Sequence, residues 1–123
     1  MDLSNRQLDA LFQALGDPTR RAMLERLARG PATVTELAAP FDMALPSILG
    51  HVRRLEEAGL VATAKAGRIR TATLAPGAFT PVRGWLDEQR AIWEARLDRL
   101  EDYVNRLMKA RTKDPADGPG PED

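Results

Sequence analysis

The stretch Thr33–Leu60, TVTELAAPFDMALPSILGHVRRLEEAGL, constrains the fold more than any other part of this chain. It predicts a short helix, a tight turn and a longer helix. Thr33 and Glu36 have the spacing of a capping box, which predicts that the first helix begins at about Val34. That helix ends near Pro40, because a proline inside a helix removes a backbone hydrogen bond and clashes with the preceding turn.

The longer helix is predicted at residues 45–58, after a turn at residues 42–44. Pro46 lies in its first turn, where the missing N–H removes no helical hydrogen bond. Gly59 ends it, since glycine tolerates the left-handed conformation that follows many helices. At 100° per residue, one face of this helix is apolar and is predicted to be core. That face consists of Ile48, Val52 and Leu55.

The opposite face of helix 45–58 has the character of a DNA-recognition surface. Its N-terminal part is small, with Pro46, Ser47 and Gly50, and Arg53 and Arg54 follow one turn later. A helix with a small tip and basic residues behind it fits the major groove of DNA. The alternative is that the two arginines only keep an outer face hydrated, as most surface charges do. The helix–turn–helix spacing and the segment that follows favour DNA.

Residues 60–74, LVATAKAGRIRTATL, alternate in a way that predicts a β-hairpin, with residues 60–65 paired to residues 69–74. Three basic residues surround its tip: Lys65, Arg68 and Arg70. A basic hairpin directly after a recognition-type helix is typical of the wing of a winged helix, which contacts the DNA backbone or the adjacent minor groove. The alternative is a surface hairpin whose charges only maintain solubility.

The charge distribution agrees with a local DNA-binding surface. The 123 residues carry 18 basic and 18 acidic side chains, so the formal net charge is zero. A DNA-binding protein of this composition has to concentrate its positive charge. Residues 45–74 do so, with five Lys or Arg against two acids. The length suits one domain, predicted at residues 1–112, and the polar, Pro- and Gly-rich residues 113–123 are predicted to be a disordered tail.

The residue types exclude several kinds of site. The chain has no cysteine and one histidine, His51. Because a selective transition-metal site needs three or four convergent ligands, we expect no metal and no cofactor. His51 has no nearby nucleophile in sequence, and no Gly-rich phosphate loop is present. We therefore expect that the protein is not an enzyme. No apolar run approaches membrane-spanning length and no signal sequence is evident, which predicts a cytoplasmic protein without membrane contact.

Three further helices are predicted around this centre, at about residues 4–15, 17–30 and 80–111. The last carries an apolar a/d seam consisting of Leu86, Trp93, Leu97, Leu100, Val104 and Leu107, with Trp85 beside it. A seam of this length exceeds what a small core covers, so a second copy is the simplest partner. The alternative is packing on the N-terminal helix of the same chain. The predicted fold is mainly α with a small β-hairpin: a winged helix-turn-helix with a long C-terminal dimerisation helix.

Three segments together resemble the ArsR-type family of winged-helix transcriptional regulators: LGDPTRRAMLERLARG, VTELAAPFDMALPSILGHVRRLEEAGLV and KAGRIRTATL. The pattern WLDEQRAIWEARLDRLEDYV resembles the subgroup that lacks the usual metal site. The resemblance covers about residues 8–108. It implies a homodimeric repressor that binds a palindromic operator in double-stranded DNA and is released by an effector signal.

The resemblance and the residue patterns together give the predicted sites. The DNA-binding residues are Pro46, Ser47, Gly50, His51, Arg53, Arg54, Lys65, Arg68 and Arg70. The dimer interface is formed by the first and last helices, through Leu8, Leu11, Phe12, Trp85, Leu86, Trp93, Leu97, Leu100, Val104 and Leu107.

Four positions depart from the family pattern. Ala44, Leu49, Gly50 and Ala72 stand where the family often has side chains that form hydrogen bonds. These departures keep a second interpretation open, in which the chain is a winged-helix dimer that binds other proteins and binds DNA weakly or not at all. Salt-dependent DNA binding separates the two interpretations.

Overall fold

In the computed structural model, which describes residues 3–113 and the side chains of residues 5–111, five helices and three short strands form the fold. The helices are α1 (Leu3–Leu15), α2 (Pro18–Leu27), α3 (Val34–Ala38), α4 (Leu45–Glu57) and α5 (Thr80–Lys113). The strands are β1 (Ala32–Thr33), β2 (Val61–Ala66) and β3 (Ile69–Leu74). The mainly α winged helix-turn-helix fold with a long last helix is thus confirmed. The predicted tail lies outside the described residues, apart from Lys113, the last residue of α5.

The N-terminus of α3 is stabilised by two short-range hydrogen bonds that the sequence predicts. The Glu36 backbone N–H donates to Thr33 Oγ1 at 3.1 Å, and the Thr33 N–H donates to Glu36 Oε1 at 2.8 Å. These two bonds form the predicted capping box. The pKa of Glu36 is lowered below its ordinary value, mainly because the Thr33 backbone N–H donates to the carboxylate and also because the Thr33 side chain stabilises it.

α4 begins and ends where proline and glycine predict. Ala44 is its N-cap and provides no side-chain hydrogen bond, so Pro46 in the first turn is the local start signal. Beyond the helix, Gly59 adopts φ 80°, and the Leu60 N–H donates to the Leu55 carbonyl at 3.0 Å. This left-handed residue turns the chain from α4 directly into β2.

The sheet has one strand more than the predicted hairpin. β2 and β3 pair antiparallel from Val61↔Leu74 to Ala66↔Ile69, and Gly67 adopts φ 62° in the turn. β1, missed in the sequence because it has two residues, pairs antiparallel with β3 and gives the order β1-β3-β2. β1 directly precedes α3, so the sheet holds the start of the helix-turn-helix beside the wing.

The core lies where α1, α2, α3 and α4 meet the sheet. Its fully buried side chains are Leu11, Met23, Leu37, Ile48, Val52, Leu55 and Leu60. Two expectations need correction here. Leu11 is 1% exposed, so it supports the core of its own chain and is not a surface residue available to a partner. Ala72, which stands where the family often has a side chain that forms hydrogen bonds, was expected on the DNA-facing surface; it is 0% exposed and pairs with Ala32, so it does not lie on that surface.

The chain divides into two units, residues 1–84 and residues 85–123. The first contains the winged helix-turn-helix and the second contains most of α5. Every described residue from Trp85 to Arg111 is exposed. None of the helices in the described part of the chain combines the length and the apolar character that crossing a membrane requires.

Candidate nucleic-acid interface

α4 presents the two faces that its periodicity predicts. Ile48, Val52 and Leu55 are at most 2% exposed and attach the helix to the core. The predicted DNA-facing residues lie on the outer surface, where Pro46, Ser47, Gly50, Arg53 and Arg54 are all exposed. The core face fixes the rotation of the helix, and so decides which side chains a DNA groove would meet.

A cleft of about 580 Å³ separates α4 from the wing formed by β2 and β3. Its charged lining consists of Arg53 from α4, Lys65, Arg68 and Arg70 from the wing, and one acid, Glu56. The structure therefore brings together four of the predicted DNA-binding residues. Four cations around an open cleft suit a phosphate backbone that passes between a helix in the major groove and a wing beside it.

The wing is attached to α4 through side chains. Arg70 Nη1 donates to Thr63 Oγ1 at 3.0 Å, and the Thr63 hydroxyl donates to Glu56 Oε2 at 2.7 Å. This chain of bonds crosses from β3 through β2 to the last turn of α4. Arg70 is half-buried and uses one of its donors within the protein, whereas Lys65 and Arg68 are exposed at the wing. Of the wing cations, Lys65 and Arg68 are therefore the two accessible to a phosphate.

The neighbouring arginines of α4 lie on different flanks. Arg53 lines the cleft toward the wing. Arg54 instead borders a crevice of about 70 Å³ together with residues of α1 and with Arg20 of α2. Their 100° separation around the helix axis accounts for this difference. The two side chains would therefore reach different parts of the DNA.

His51 connects α4 to α1 and α2 through Arg20. Arg20 Nη1 donates to His51 Nδ1 at 3.1 Å, while its Nε donates to the Ala14 carbonyl at 2.8 Å and its Nη2 to the Gln13 carbonyl at 2.9 Å. Gln13 and Ala14 belong to the last turn of α1, where carbonyls have no helical partner. One guanidinium thus joins α1, α2 and α4.

The bond from Arg20 determines the form of the imidazole. A guanidinium has only donors, so Nδ1 of His51 accepts and carries no hydrogen. With Nδ1 as the acceptor, the N–H group of the ring is at Nε2. Asp17 Oδ2 lies 3.9 Å from the same Nδ1, a distance that would count as an ion pair only for a protonated ring. At 3.1 Å, the Arg20 bond is the shorter of the two contacts at Nδ1.

Asp17 is primarily a helix cap in this cluster. Its carboxylate accepts the Arg20 backbone N–H at 3.0 Å, and Pro18 is the first residue of α2. That hydrogen bond is the main reason why the pKa of Asp17 is lowered, and the positive charge of Arg20 adds to it. His51 was predicted as a DNA contact, and its half-buried ring, with a side chain 20% exposed, still presents an edge to solvent.

The predicted interface residues of α5 form an exposed apolar row. Leu86, Trp93, Leu97, Leu100, Val104 and Leu107 are between 43% and 58% exposed. Trp85 is 39% exposed, and in α1 Phe12 is 42% exposed whereas Leu8 is partly buried against the core.

On α5, Arg90 forms ion pairs with Asp87 at 3.5 Å and Glu94 at 3.9 Å, as the helical spacing predicts.

The part of the chain that the structure describes contains no group of three or more His, Cys, Asp or Glu placed to hold a metal ion. Two functional contacts were missed in the sequence: the Arg20–His51 bond and the Arg70–Thr63–Glu56 chain. Both join residues distant in sequence, and no local pattern signals such pairs.

The comparison with known proteins agrees with this geometry. A family model described as a helix-turn-helix domain matches residues 15–64. The HTH-type transcriptional regulator Rv2034 of Mycobacterium tuberculosis is 42% identical over 82 residues, which cover 67% of this chain and 77% of that protein. The transcriptional repressor SdpR of Bacillus subtilis is 33% identical over 61 residues, covering 50% and 68% respectively.

Solved structures show the same similarity. The crystal structure of an ArsR family transcriptional regulator, RHA00566, is 55% identical, with a TM-score of 0.72, and the match covers 76% of this chain and 97% of that one. An ArsR-like transcriptional regulator from Rhodococcus sp. RHA1 is 26% identical, with a TM-score of 0.69, covering 80% and 93%.

Proposed function

We propose that this chain, which belongs to the ArsR family of helix-turn-helix transcriptional regulators, is a homodimeric repressor that binds a palindromic operator. As a member of that family it is a DNA-binding regulator of transcription. The observation that supports the repressor proposal most directly is the four-cation cleft between α4 and the wing. Repression is further supported by the similarity to SdpR, a transcriptional repressor.

The proposal divides the contacts by position. Pro46, Ser47 and Gly50, at the exposed N-terminal part of α4, would face base edges in the major groove. Arg53 would reach the phosphates that pass through the cleft, and Arg54 those on the opposite flank. Arg68, in the wing turn, would lie on the backbone or in the adjacent minor groove. Base contacts would set the sequence preference and phosphate contacts would set the affinity.

His51 has a defined part in this arrangement. Because Arg20 occupies Nδ1, the free donor of the ring is the Nε2–H group. We assign this group to a DNA phosphate, with Arg20 fixing the orientation of the ring. Backbone phosphates accept hydrogen bonds from neutral donors as well as from charged ones.

The homodimer proposal rests on the exposed apolar row of α5. The row runs from Leu86 to Leu107, roughly 30 Å along a helix at 1.5 Å per residue. Apolar side chains repeated at a/d spacing pack against a partner helix in water. A second copy supplies an identical row and, by its two-fold symmetry, two recognition helices for a palindrome. Phe12 of α1 and Trp85 would extend the same interface.

Fluorescence anisotropy on a duplex selected from a random pool tests the repressor proposal. We expect Arg68→Ala to weaken binding to both the selected and a scrambled duplex, and to lower the slope of log K against log salt by about 0.9 per lost phosphate contact. Ser47→Ala should change the preference between the two duplexes more than the salt slope. Arg29→Ala removes an exposed arginine that does not line the cleft, and serves as the matched control.

One outcome would refute the repressor proposal and a second would refute its wing contact. If the wild-type protein binds neither duplex at low salt, the chain acts through protein contacts and the alternative function replaces repression. If Arg68→Ala and Arg29→Ala have the same small effect, the wing does not contact DNA. The proposal includes a cytoplasmic location, no enzymatic activity and release of DNA by an effector.

A further inference from the structure

The exposed N-terminal half of α4 contains almost no group that forms hydrogen bonds. Leu45 is 54% and Leu49 is 38% exposed, and Pro46 and Gly50 are also exposed. Among the exposed side chains of residues 45–50, only that of Ser47 has a donor or acceptor. The half of the recognition helix that enters a major groove first is therefore mostly apolar.

Neither leucine belongs to the hydrophobic core or to the partly buried residues packed against it. Ile48, Val52 and Leu55 already fill the core side of α4 and are at most 2% exposed. Leu45 and Leu49 lie one turn apart on the flank that faces the cleft, and both line it. Arg53 follows on the same flank, one turn beyond Leu49. An apolar surface thus lies directly beside the cations that suit a DNA backbone.

The major groove offers one apolar group, the 5-methyl group of thymine. A leucine placed against an amino or carbonyl group of another base would exclude water from that group without replacing its hydrogen bond, which is unfavourable. The same leucine against a thymine methyl gains contact and loses no hydrogen bond. Apolar side chains at this position therefore discriminate in favour of thymine.

We infer that Leu45 and Leu49 read thymine methyl groups, so that the half-sites of the operator contain thymines at the positions facing the start of α4. The two residues are four positions apart, about 6 Å along the helix, which is close to two base steps of about 3.4 Å. The contacted thymines are accordingly expected within about two base pairs of each other. This inference rests on the proposed DNA-binding function and specifies the base chemistry that it reads.

Deoxyuridine substitution tests the inference, since uracil differs from thymine only by the missing methyl group. The full-length protein first selects its operator from a random pool, and each thymine of the selected sequence is then replaced singly by deoxyuridine. At one or two half-site positions we expect binding to weaken about fourfold per methyl group, which corresponds to about 0.8 kcal/mol. Thymines outside the half-sites should be insensitive and serve as controls.

Leu45→Ala and Leu49→Ala identify the protein side of each contact. Both side chains are exposed, so the two variants should melt as the wild type does. Each variant should lose sensitivity to deoxyuridine at one thymine and retain it at the other, so that each is the control for the other. The loss of a methyl group also changes the DNA itself, but this change affects binding of the wild type and of the variants equally. Comparing their sensitivities to deoxyuridine therefore cancels it.

Several results would overturn the inference. It fails if the selected half-sites lack thymine, if no substitution weakens binding by twofold, or if both alanine variants keep the full sensitivity. In each of these cases the protein still binds its selected operator, and the repressor proposal stands. Failure to bind any duplex in the pool at low salt would instead refute both.

Discussion

Replacing Arg20 by methionine tests whether one guanidinium holds the recognition helix to α1 and α2. Methionine keeps a long apolar stem and removes the bonds to Ala14, Gln13 and His51. Hydrogen bonds from charged groups contribute about 1.5–3 kcal/mol where water is excluded, and less where it is not. Two of these bonds are half-buried and one is exposed, so we expect a loss of roughly 2–3 kcal/mol in the free energy of unfolding.

Urea denaturation followed by circular dichroism measures this loss at a fixed protein concentration, because the stability of a dimer depends on concentration. The midpoint should fall while the m-value stays constant. Arg21→Met is the matched control: it lies beside Arg20 on α2 and makes one exposed bond, to the Leu15 carbonyl at 2.7 Å. An exposed bond contributes little, so the control should lose about 0.5 kcal/mol or less.

Two variants of His51 separate the roles of its nitrogens. In His51→Asn the amide oxygen takes the place of Nδ1, so the bond from Arg20 is kept. In His51→Gln the amide N–H₂ group takes the place of Nε2, so a donor toward DNA is kept and the Arg20 bond is lost. We expect His51→Gln to lose more stability and His51→Asn to lose more DNA affinity. Equal stability losses in Arg20→Met and Arg21→Met, or the reverse order in the two His51 variants, would refute this account.

The remaining predictions concern the dimer, metals, helix propensity and pH. Trp93→Glu with Leu97→Glu should convert the dimer to monomer in light scattering; a wild-type monomer at micromolar concentration would contradict the dimer proposal. Zn²⁺ should change neither melting temperature nor operator affinity, and a shift of several degrees that a chelator reverses would reveal a site. Gly50→Ala should stabilise the fold by up to about 1 kcal/mol, because the added Cβ meets open space and alanine favours helix; a simultaneous loss of DNA affinity would show that DNA approaches the backbone there. Asp17 has a pKa below its unfolded value, so its contribution is present above the ordinary aspartate range and is lost as pH falls through the lowered value. Acid unfolding of Asp17→Asn, which keeps a capping oxygen, should therefore be less steep than that of the wild type, and identical curves would refute this.

Local signals in the sequence were sufficient for most of the helix-turn-helix. The Thr33 capping box, Pro46 and Gly59 all act within one turn of the residues that they organise, so the bounds of α3 and α4 could be predicted closely. The hairpin was predicted but its register was one residue off: residues 60–65 opposite residues 69–74 would place Leu60 opposite Leu74, whereas the structure pairs Val61 with Leu74. Short-range physics therefore determines these elements.

Long-range contacts account for what the sequence left open. β1 has two residues and no periodicity, and it forms only because β3 offers an edge. Arg20 reads as an ordinary surface arginine until α4 brings His51 within 3.1 Å. Ala72 was expected on the DNA-facing surface, but it is 0% exposed in the central strand β3 and belongs to the core. Each of these outcomes depends on tertiary packing that local patterns do not encode.

The pairing of β1 with β3 has a consequence for exchanging parts between relatives. β1 precedes α3 and β2 follows α4, and both strands belong to one sheet because β1 pairs with β3 at positions 32 and 72. The segment from Val34 to Glu57 therefore begins and ends at the same sheet. Its outer residues can then vary without moving those ends, provided that the inner residues continue to fill the core. A helix-turn-helix transplanted from another regulator between β1 and β2 should fold in place and bring its own operator preference, with α5 left unchanged.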